Sequence, residues 1–524
     1  MNNQPSKPLQ LAILSGIVAA SLMWLGPMLD RPLWVDELHT SWVVSTSWSE
    51  LSERARAGNQ SVLYFAFLKM WIQVWGQYEW SLRLPSLIAW IVGLLSLSLW
   101  LLRSNRNPGL IGCIPVVGWC LSILVDRMQF FYAVEARSYA IVQLLNLWSW
   151  MLVAEIVQNH RPPSQNENYC PGRRHWYFWA ICAGLMVAVH ITSGLSLAFQ
   201  TIVLVAVVLL RKQVSLSNVV CLMFVIGSGV WQLFANQTAW NRRQQWSTFA
   251  GDDSWGSLLS MFPFVQIALP TLASLFVLKI WQRLFATESK LLPSDNQGLP
   301  SRAIGVWLSA AIGPVVLAWS LTHFQIAPLM HYRFVIVAAL PIYLCFAQLS
   351  AMLAGWLRHA AVLLTWLWMI FSQGLLELPL EQWRTERQEN WRGASEFIAR
   401  QFSADSQTLW CYSGLIEGVD VELPLTEDQN RYLSYPLRGI HQILNLGVPV
   451  EPKSLIADRK AWLRQVEEQA RSDGHGQIWI VYRGPAERLE RDLVSSGLSK
   501  FKLIQQVHPF DRVSVVGLDL SNQP

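Results

Sequence analysis

Residues 30–37 read Asp-Arg-Pro-Leu-Trp-Val-Asp-Glu and follow directly on the apolar run 9–29. That order decides the fold class: a stretch long enough to cross a bilayer, then a Trp and an adjacent acidic pair, Asp36-Glu37, at its exit. A carboxylate at a membrane face costs several kcal/mol of desolvation unless it is solvated or paired, so such a residue is a functional candidate. A second stretch, Tyr132-Ala-Val-Glu-Ala-Arg-Ser-Tyr139, puts Glu135 in a similar position past a later apolar run.

Composition agrees. Of 524 residues, 52% are hydrophobic and 14% charged, against about 25% charged in a soluble domain. The 29 Trp suit a chain that anchors many helix ends where hydrocarbon meets water. The net charge of +5 follows from Lys and Arg in membrane loops and calls for no nucleic-acid partner. Cys113, Cys120, Cys182, Cys221 and Cys345 lie in apolar runs, while Cys170 and Cys411 are isolated, so no disulfide framework is expected.

Runs that meet the length for crossing a bilayer lie at 9–29, 85–102, 109–126, 138–157, 176–191, 193–210, 216–235, 257–279, 303–322, 334–353 and 359–374. The run 61–76 is shorter, holds Lys69 and Gln73, and reads as an interfacial helix. About eleven spans result. Alternate loops then hold Lys7; Arg103 and Arg106; Arg161, Arg173 and Arg174; Arg211 and Lys212; Lys279, Arg283, Lys290 and Arg302; and Arg358. The positive-inside rule makes those loops cytoplasmic. The N-terminus, read as a retained first helix, is then inside. Asp36, Glu37, Glu135 and the C-terminal tail are outside.

Residues 1–374 are expected to form the transmembrane domain, with a first outer loop at about 30–84 that includes the 61–76 helix. Residues 375–524 are expected to form a small extracytoplasmic α/β domain. In it 408–413, 477–482 and 512–517 read as strands and 393–401, 456–471 and 486–496 as helices.

The residue types permit group transfer at the outer face. An Asp can take a proton from an attacking hydroxyl. Arg holds phosphate as a two-pronged donor and stabilises it as a leaving group. Outer basic residues near the spans are Arg137, Arg242, Arg243, His331 and Arg333. With no ATP outside, an activated lipid-linked sugar is a sensible donor.

At this point the chain resembles the membrane glycosyltransferases of the protein O-mannosyltransferase and lipid A aminoarabinose transferase superfamily, which have the GT-C fold. The matching pieces are Trp34-Val-Asp-Glu37, Leu63-Tyr-Phe-Ala-Phe-Leu-Lys-Met-Trp71 with Trp80-Ser-Leu-Arg-Leu-Pro-Ser86, Tyr132 to Tyr139, His331-Tyr-Arg-Phe334 with Ala339-Leu-Pro341, and Asn390-Trp-Arg-Gly-Ala394. The resemblance covers roughly residues 10–395 and is more specific for the superfamily than for the substrate. It implies a polyprenyl-phosphate sugar as donor. It implies Asp36 as base on a hydroxyl acceptor, with Glu37 beside it, and Glu135 as the acidic residue of the second outer loop. Arg137, Arg333 and His331 fall where donor phosphate would be held. Two departures stand out: Asn59-Gln-Ser-Val62 replaces the His-Pro-Pro or Lys-Pro-Pro of many relatives, and Val134 stands where a Gln is common.

The expected function is therefore transfer of a hexosyl or pentosyl group from polyprenyl phosphate to a glycan, lipid or protein hydroxyl, with inversion, in a plasma (inner) membrane. Other readings stay open. Asp36-Glu37 could cap a helix, and Glu135 with Arg137 could be an interfacial salt bridge. His190 reads as structural, and Asp252-Asp253 as a solvated turn. His39 lacks companions at zinc-ligand spacing. Asp36, Glu37 and Glu135 could hold a hard divalent cation through oxygen, but Arg can neutralise phosphate instead, so no cofactor is assigned. A lipid or solute transporter or flippase would show repeated halves or broken mid-membrane helices, neither of which is plain here. A catalytically inactive relative would carry the same motifs.

Overall fold

The computed structural model describes residues 5–57, 61–104, 109–158, 173–211, 215–241, 253–260, 301–351, 356–385, 388–402, 407–413, 427–440, 450–453, 459–472 and 476–521, with isolated positions at 243, 269, 271–274, 276–277, 280 and 353. It divides into two compact units. The first comprises Met1–Met28, Asn59–Tyr64 and Arg83–Trp383; the second comprises Leu29–Gly58, Phe65–Leu82 and Arg384–Pro524. The first outer loop is thus grouped with the C-terminal segment.

The first unit is helical, as a chain in hydrocarbon must be, because a helix satisfies its own backbone polar groups. Along the chain the helices are α1 (Lys7–Leu25), α2 (Val35–Val44), α3 (Leu51–Ala57), α4 (Val62–Trp75), α5 (Glu79–Ser104), α6 (Leu110–Val125), α7 (Arg127–Val134), α8 (Tyr139–Gln158), α9 (Arg173–Val189), α10 (Gly194–Arg211) and α11 (Leu216–Ala235), of which α2, α3 and most of α4 fall in the second unit. Long helices follow at Ser301–His323, Ala339–Ser350 and Trp356–Ser372. Among the described residues, seven helices are long and apolar enough to cross a membrane, or eight if α6 and α7, which meet at 75°, are one broken span. Helix α9 and the helix Trp356–Ser372, 17 residues each, lie on two further expected spans. The expected span 257–279 falls largely outside the described residues. Helix α4 has 14 residues, about 21 Å of rise, which is short of a hydrocarbon core of about 30 Å.

Polar side chains fasten the helices of this unit. Ser196 on α10 donates to Asn146 Oδ1 on α8 at 2.6 Å, and Gln200 Nε2 donates to Ser149 Oγ at 2.8 Å. The buried indoles of Trp150 and Trp179 donate to Ser196 and to Gln200 Oε1, each at 2.8 Å. Such bonds work as interhelical glue where apolar contact with lipid and with protein is nearly equivalent. Close approach serves the same end at Gly313, where an added Cβ would lie 2.5–2.8 Å from ring carbons of Phe199 on α10.

The second unit holds a five-stranded sheet: β1 (Gln407–Tyr412), β2 (Val450–Lys453), β3 (Gln477–Arg483), β4 (Lys502–Phe510) and β5 (Val513–Asp519), in the order β2-β1-β3-β5-β4. Strand β1 runs parallel to both β2 and β3, whereas β5 runs antiparallel to β3 and β4. The central strands β1 and β3 are buried nearly end to end, which is why they read as unbroken apolar runs. Trp410, Tyr412, Trp462, Ile480, Tyr482 and Val516 lie in their core. The two strands not anticipated from sequence, β2 and β4, are the edges; each contains a Pro (Pro452, Pro509), which an edge tolerates and a centre does not.

Helix α2 belongs to this unit and is fixed along its length. His39 Nδ1 meets the Tyr432 hydroxyl at 3.1 Å, Ser41 Oγ meets that of Tyr435 at 2.9 Å, and the Trp42 and Tyr432 rings lie 4.3 Å apart. Both tyrosines come from the helix Glu427–Arg438. Lys69 of α4 donates to the Val44 carbonyl at 3.1 Å and also to that of Thr46, closing the C-terminal end of α2 with a cation.

Gly313→Ala is expected to lower stability by about 1–3 kcal/mol through overpacking. A thermal melt in detergent reads this out, and trimming the opposing ring with Phe199→Leu should recover part of the loss.

Candidate active site

In the second unit, Asp36 and Glu37 occupy the first turn of α2. Glu37 is buried, and its Oε2 accepts from the backbone N–H of Trp34 at 3.3 Å. Glu37 therefore caps the N-terminus of α2 from its own first turn. Asp36 is partly exposed. His39 packs between Trp42, Phe65 and Tyr432, a structural setting.

In the first unit, the second acidic motif is set by a corner. At the break between α6 and α7, Asp126 Oδ1 accepts from the backbone N–H groups of Met128 (2.9 Å) and Gln129 (3.3 Å). Its Oδ2 accepts from the Tyr343 hydroxyl at 2.7 Å. This buried carboxylate starts α7, and α7 ends on Glu135 as its C-cap. The chain then turns tightly, with the Arg137 N–H donating to the Glu135 carbonyl at 2.7 Å and Ser86 Oγ on α5 donating to the Arg137 carbonyl at 3.1 Å. Glu135 and Arg137 are both buried.

His331 and Arg333 open the short helix Tyr332–Val335, where His331 Nδ1 accepts from the Arg333 backbone N–H at 3.2 Å. An aromatic chain joins the two motifs. Tyr332 stacks on Tyr132 with centroids 5.8 Å apart, Tyr132 meets Tyr139 edge-on at 4.9 Å, and Tyr139 meets the His190 ring at 5.4 Å. His190 stands in the turn between α9 and α10, with Thr192 Oγ1 2.8 Å from its Nδ1. Burial first, then the positive charges of Arg137 and Arg333, push its imidazole from the ordinary 6.5 down to about 3. The structure thus gathers Arg137, Arg333 and a neutral His190 around one aromatic-lined spot.

Other candidates lie apart from this cluster. Arg243 donates to the Ile326 carbonyl at 2.8 Å and covers the Trp240 ring; Arg242 and Asp252 are outside the described residues. Asp253 pairs with His323 at 3.3 Å. Among the described residues, no three His, Cys, Asp or Glu side chains gather as a metal site.

Asp126, His190 and Glu389 were not read from sequence as site residues. Asp126-Arg-Met-Gln129 does have the D-x-x-Q form of a helix start, so Asp126 carried a usable signal. Glu389, whose Oε2 accepts from the Val35 backbone N–H, is 354 residues away from that partner and carried none.

Among solved structures, ArnT from Cupriavidus metallidurans bound to undecaprenyl phosphate matches with a TM-score of 0.50 and 14% identity, over 96% of this chain and 97% of that one. The two share one fold. It is the GT-C fold, and the chain is a multi-pass membrane protein. The apo form of the same ArnT gives a TM-score of 0.45 at 15% identity over 97% and 98% of the two chains. The apo oligosaccharyltransferase of Archaeoglobus fulgidus gives 0.46 at 10% identity over 94% and 71%. No family model and no curated protein matches the sequence.

A histidine held neutral in the folded state makes stability fall with acid: from 6.5 towards about 3 the unfolded chain takes up a proton that the folded chain refuses. Melting midpoints of wild type should therefore drop between pH 7 and pH 5 by more than those of His190→Gln.

Proposed function

We propose that the protein is an integral-membrane glycosyltransferase, one that moves a hexosyl or pentosyl group from a polyprenyl-phosphate carrier to a hydroxyl acceptor at the outer membrane face. The observation that carries this reading is the paired guanidiniums, Arg137 and Arg333, set about His190, on a fold shared with a protein crystallised with undecaprenyl phosphate.

The donor is a phosphodiester with one negative charge, and its leaving group gains a second as the sugar departs. Two fixed cations match that product better than the reactant, which is the sense in which binding becomes catalysis. A neutral His190, its Nδ1 2.8 Å from the Thr192 hydroxyl, adds a polar ring without excess charge. Asp36 acts as base. The acceptor oxygen forms a bond to the anomeric carbon as its proton passes to the Asp36 carboxylate. The bond from that carbon to the phosphate oxygen breaks, its electron pair stays on the phosphate, and the anomeric centre inverts. Glu37 holds the turn that carries Asp36, and Glu135 and His331 order the phosphate side. The scheme uses no metal. The first helix starts in the cytoplasm of a plasma (inner) membrane, and the C-terminal domain lies outside. A glycan, a lipid or a protein could supply the acceptor hydroxyl.

The test is release of polyprenyl phosphate from a panel of lipid-linked sugars by purified protein supplied with membrane extract as acceptor. One donor should be cleaved by wild type. Asp36→Asn should lose at least about 100-fold, and Arg137→Gln or Arg333→Gln should weaken donor binding by about 10- to 100-fold. Folded wild-type protein that cleaves no donor would sink the reading, and lipid movement without cleavage would replace it with transport.

A further inference from the structure

The N-terminus of α2 is held by a carboxylate from the far end of the chain. Glu389 is buried, and its Oε2 accepts from the Val35 backbone N–H at 3.1 Å and from the Trp391 indole at 2.8 Å. Its Oε1 accepts from Arg483 Nε at 2.6 Å. Arg483 is the last residue of β3, and Glu389 itself pairs with Asp511 as an isolated bridge, so the sheet fixes Glu389 through both side chain and backbone. The Val35 amide is one of the donors that a helix start leaves without an intrahelical partner. Asp36 is the next residue.

We propose that Glu389 is a positioning residue for Asp36, and that the C-terminal domain serves the transfer reaction as the scaffold of its base. This rests on the function proposed above. Two effects of Glu389 could matter, and the geometry favours one. Its negative charge would offset the positive end of α2 and leave Asp36 more basic, but Arg483 lies against the same carboxylate and cancels most of that field. The hydrogen bond remains. A general base acts only within hydrogen-bond reach of the proton it takes, and a misplacement of about 1 Å can cost 100-fold in rate. Val35 precedes Asp36 on the same backbone, so a shift of its amide moves the base directly. Glu37 holds Trp34 on the other side, and Tyr432 and Lys69 hold the remainder of α2.

Two variants separate positioning from general support of the fold. Glu389→Gln keeps the shape but cannot serve Val35, Trp391 and Arg483 as a carboxylate does. Val35→Pro deletes the donated N–H, exchanges the buried valine for a ring of similar size, and leaves Glu389 and Arg483 themselves unchanged. Proline is accepted at the first position of a helix, and Trp34 already has the extended conformation (φ −82°, ψ 170°) that precedes one. Both variants should lower kcat for polyprenyl-phosphate release at least tenfold, with KM for the donor within twofold of wild type. Folded Val35→Pro with wild-type kcat overturns the proposal, as does activity lost only in proportion to unfolded protein. If wild type is active and Asp36→Asn is not, either result strikes this inference alone. If wild type cleaves no donor, the proposed function falls and this inference falls with it.

Discussion

The arrangement of the first unit depends on one buried carboxylate. Asp126 sits where α6 and α7 meet at 75°, and a chain that breaks its helix there exposes amides with no intrahelical partner. Asp126 answers two of them, and the Tyr343 hydroxyl answers Asp126. With that corner set, α7 delivers Glu135 and Arg137 to a fixed place. The second unit solves the same problem in the same way. Glu37 and Glu389 close the start of α2, and Lys69 closes its end. In both units the residues expected to do chemistry stand within a turn or two of a helix end that is closed by a charged side chain.

Charge balance around Arg137 and Arg333 is the second theme. Two guanidiniums beside a third titratable cation would repel one another, but His190 stays neutral because burial and those same guanidiniums oppose its protonation. The cluster therefore carries its positive charge on the two guanidiniums and none on the imidazole. The rings of Tyr132, Tyr139 and Tyr332, packed on one another, are buried beside it.

What the sequence made legible follows from range. Long apolar runs showed the helices, and acidic residues directly after such runs pointed to Asp36, Glu37 and Glu135. Order of motifs pointed to Arg137, His331 and Arg333. The run 334–353 did not reveal that its helix begins as two short pieces, Tyr332–Val335 and the 3-10 turn Ile336–Ala338, because Val, Ile and Ala there read the same in any conformation. The helix Glu427–Arg438 was hidden by its polarity and by Pro436. His190 and Glu389 were hidden for another reason. Each gains its setting from residues more than fifty positions away, and no local pattern records that.

The span from Val35 to Glu389, 354 residues, also sets a timetable. At about 5–20 residues per second of synthesis, α2 is made on the order of 20–70 s before the carboxylate that closes it, and its tyrosine partners on Glu427–Arg438 come later still. During that interval the helix start has Glu37 but not Glu389, and a nascent chain cut short anywhere before β3 would lack the Arg483 that holds Glu389. The final setting of the helix start that carries Asp36 is thus one of the last things the chain completes.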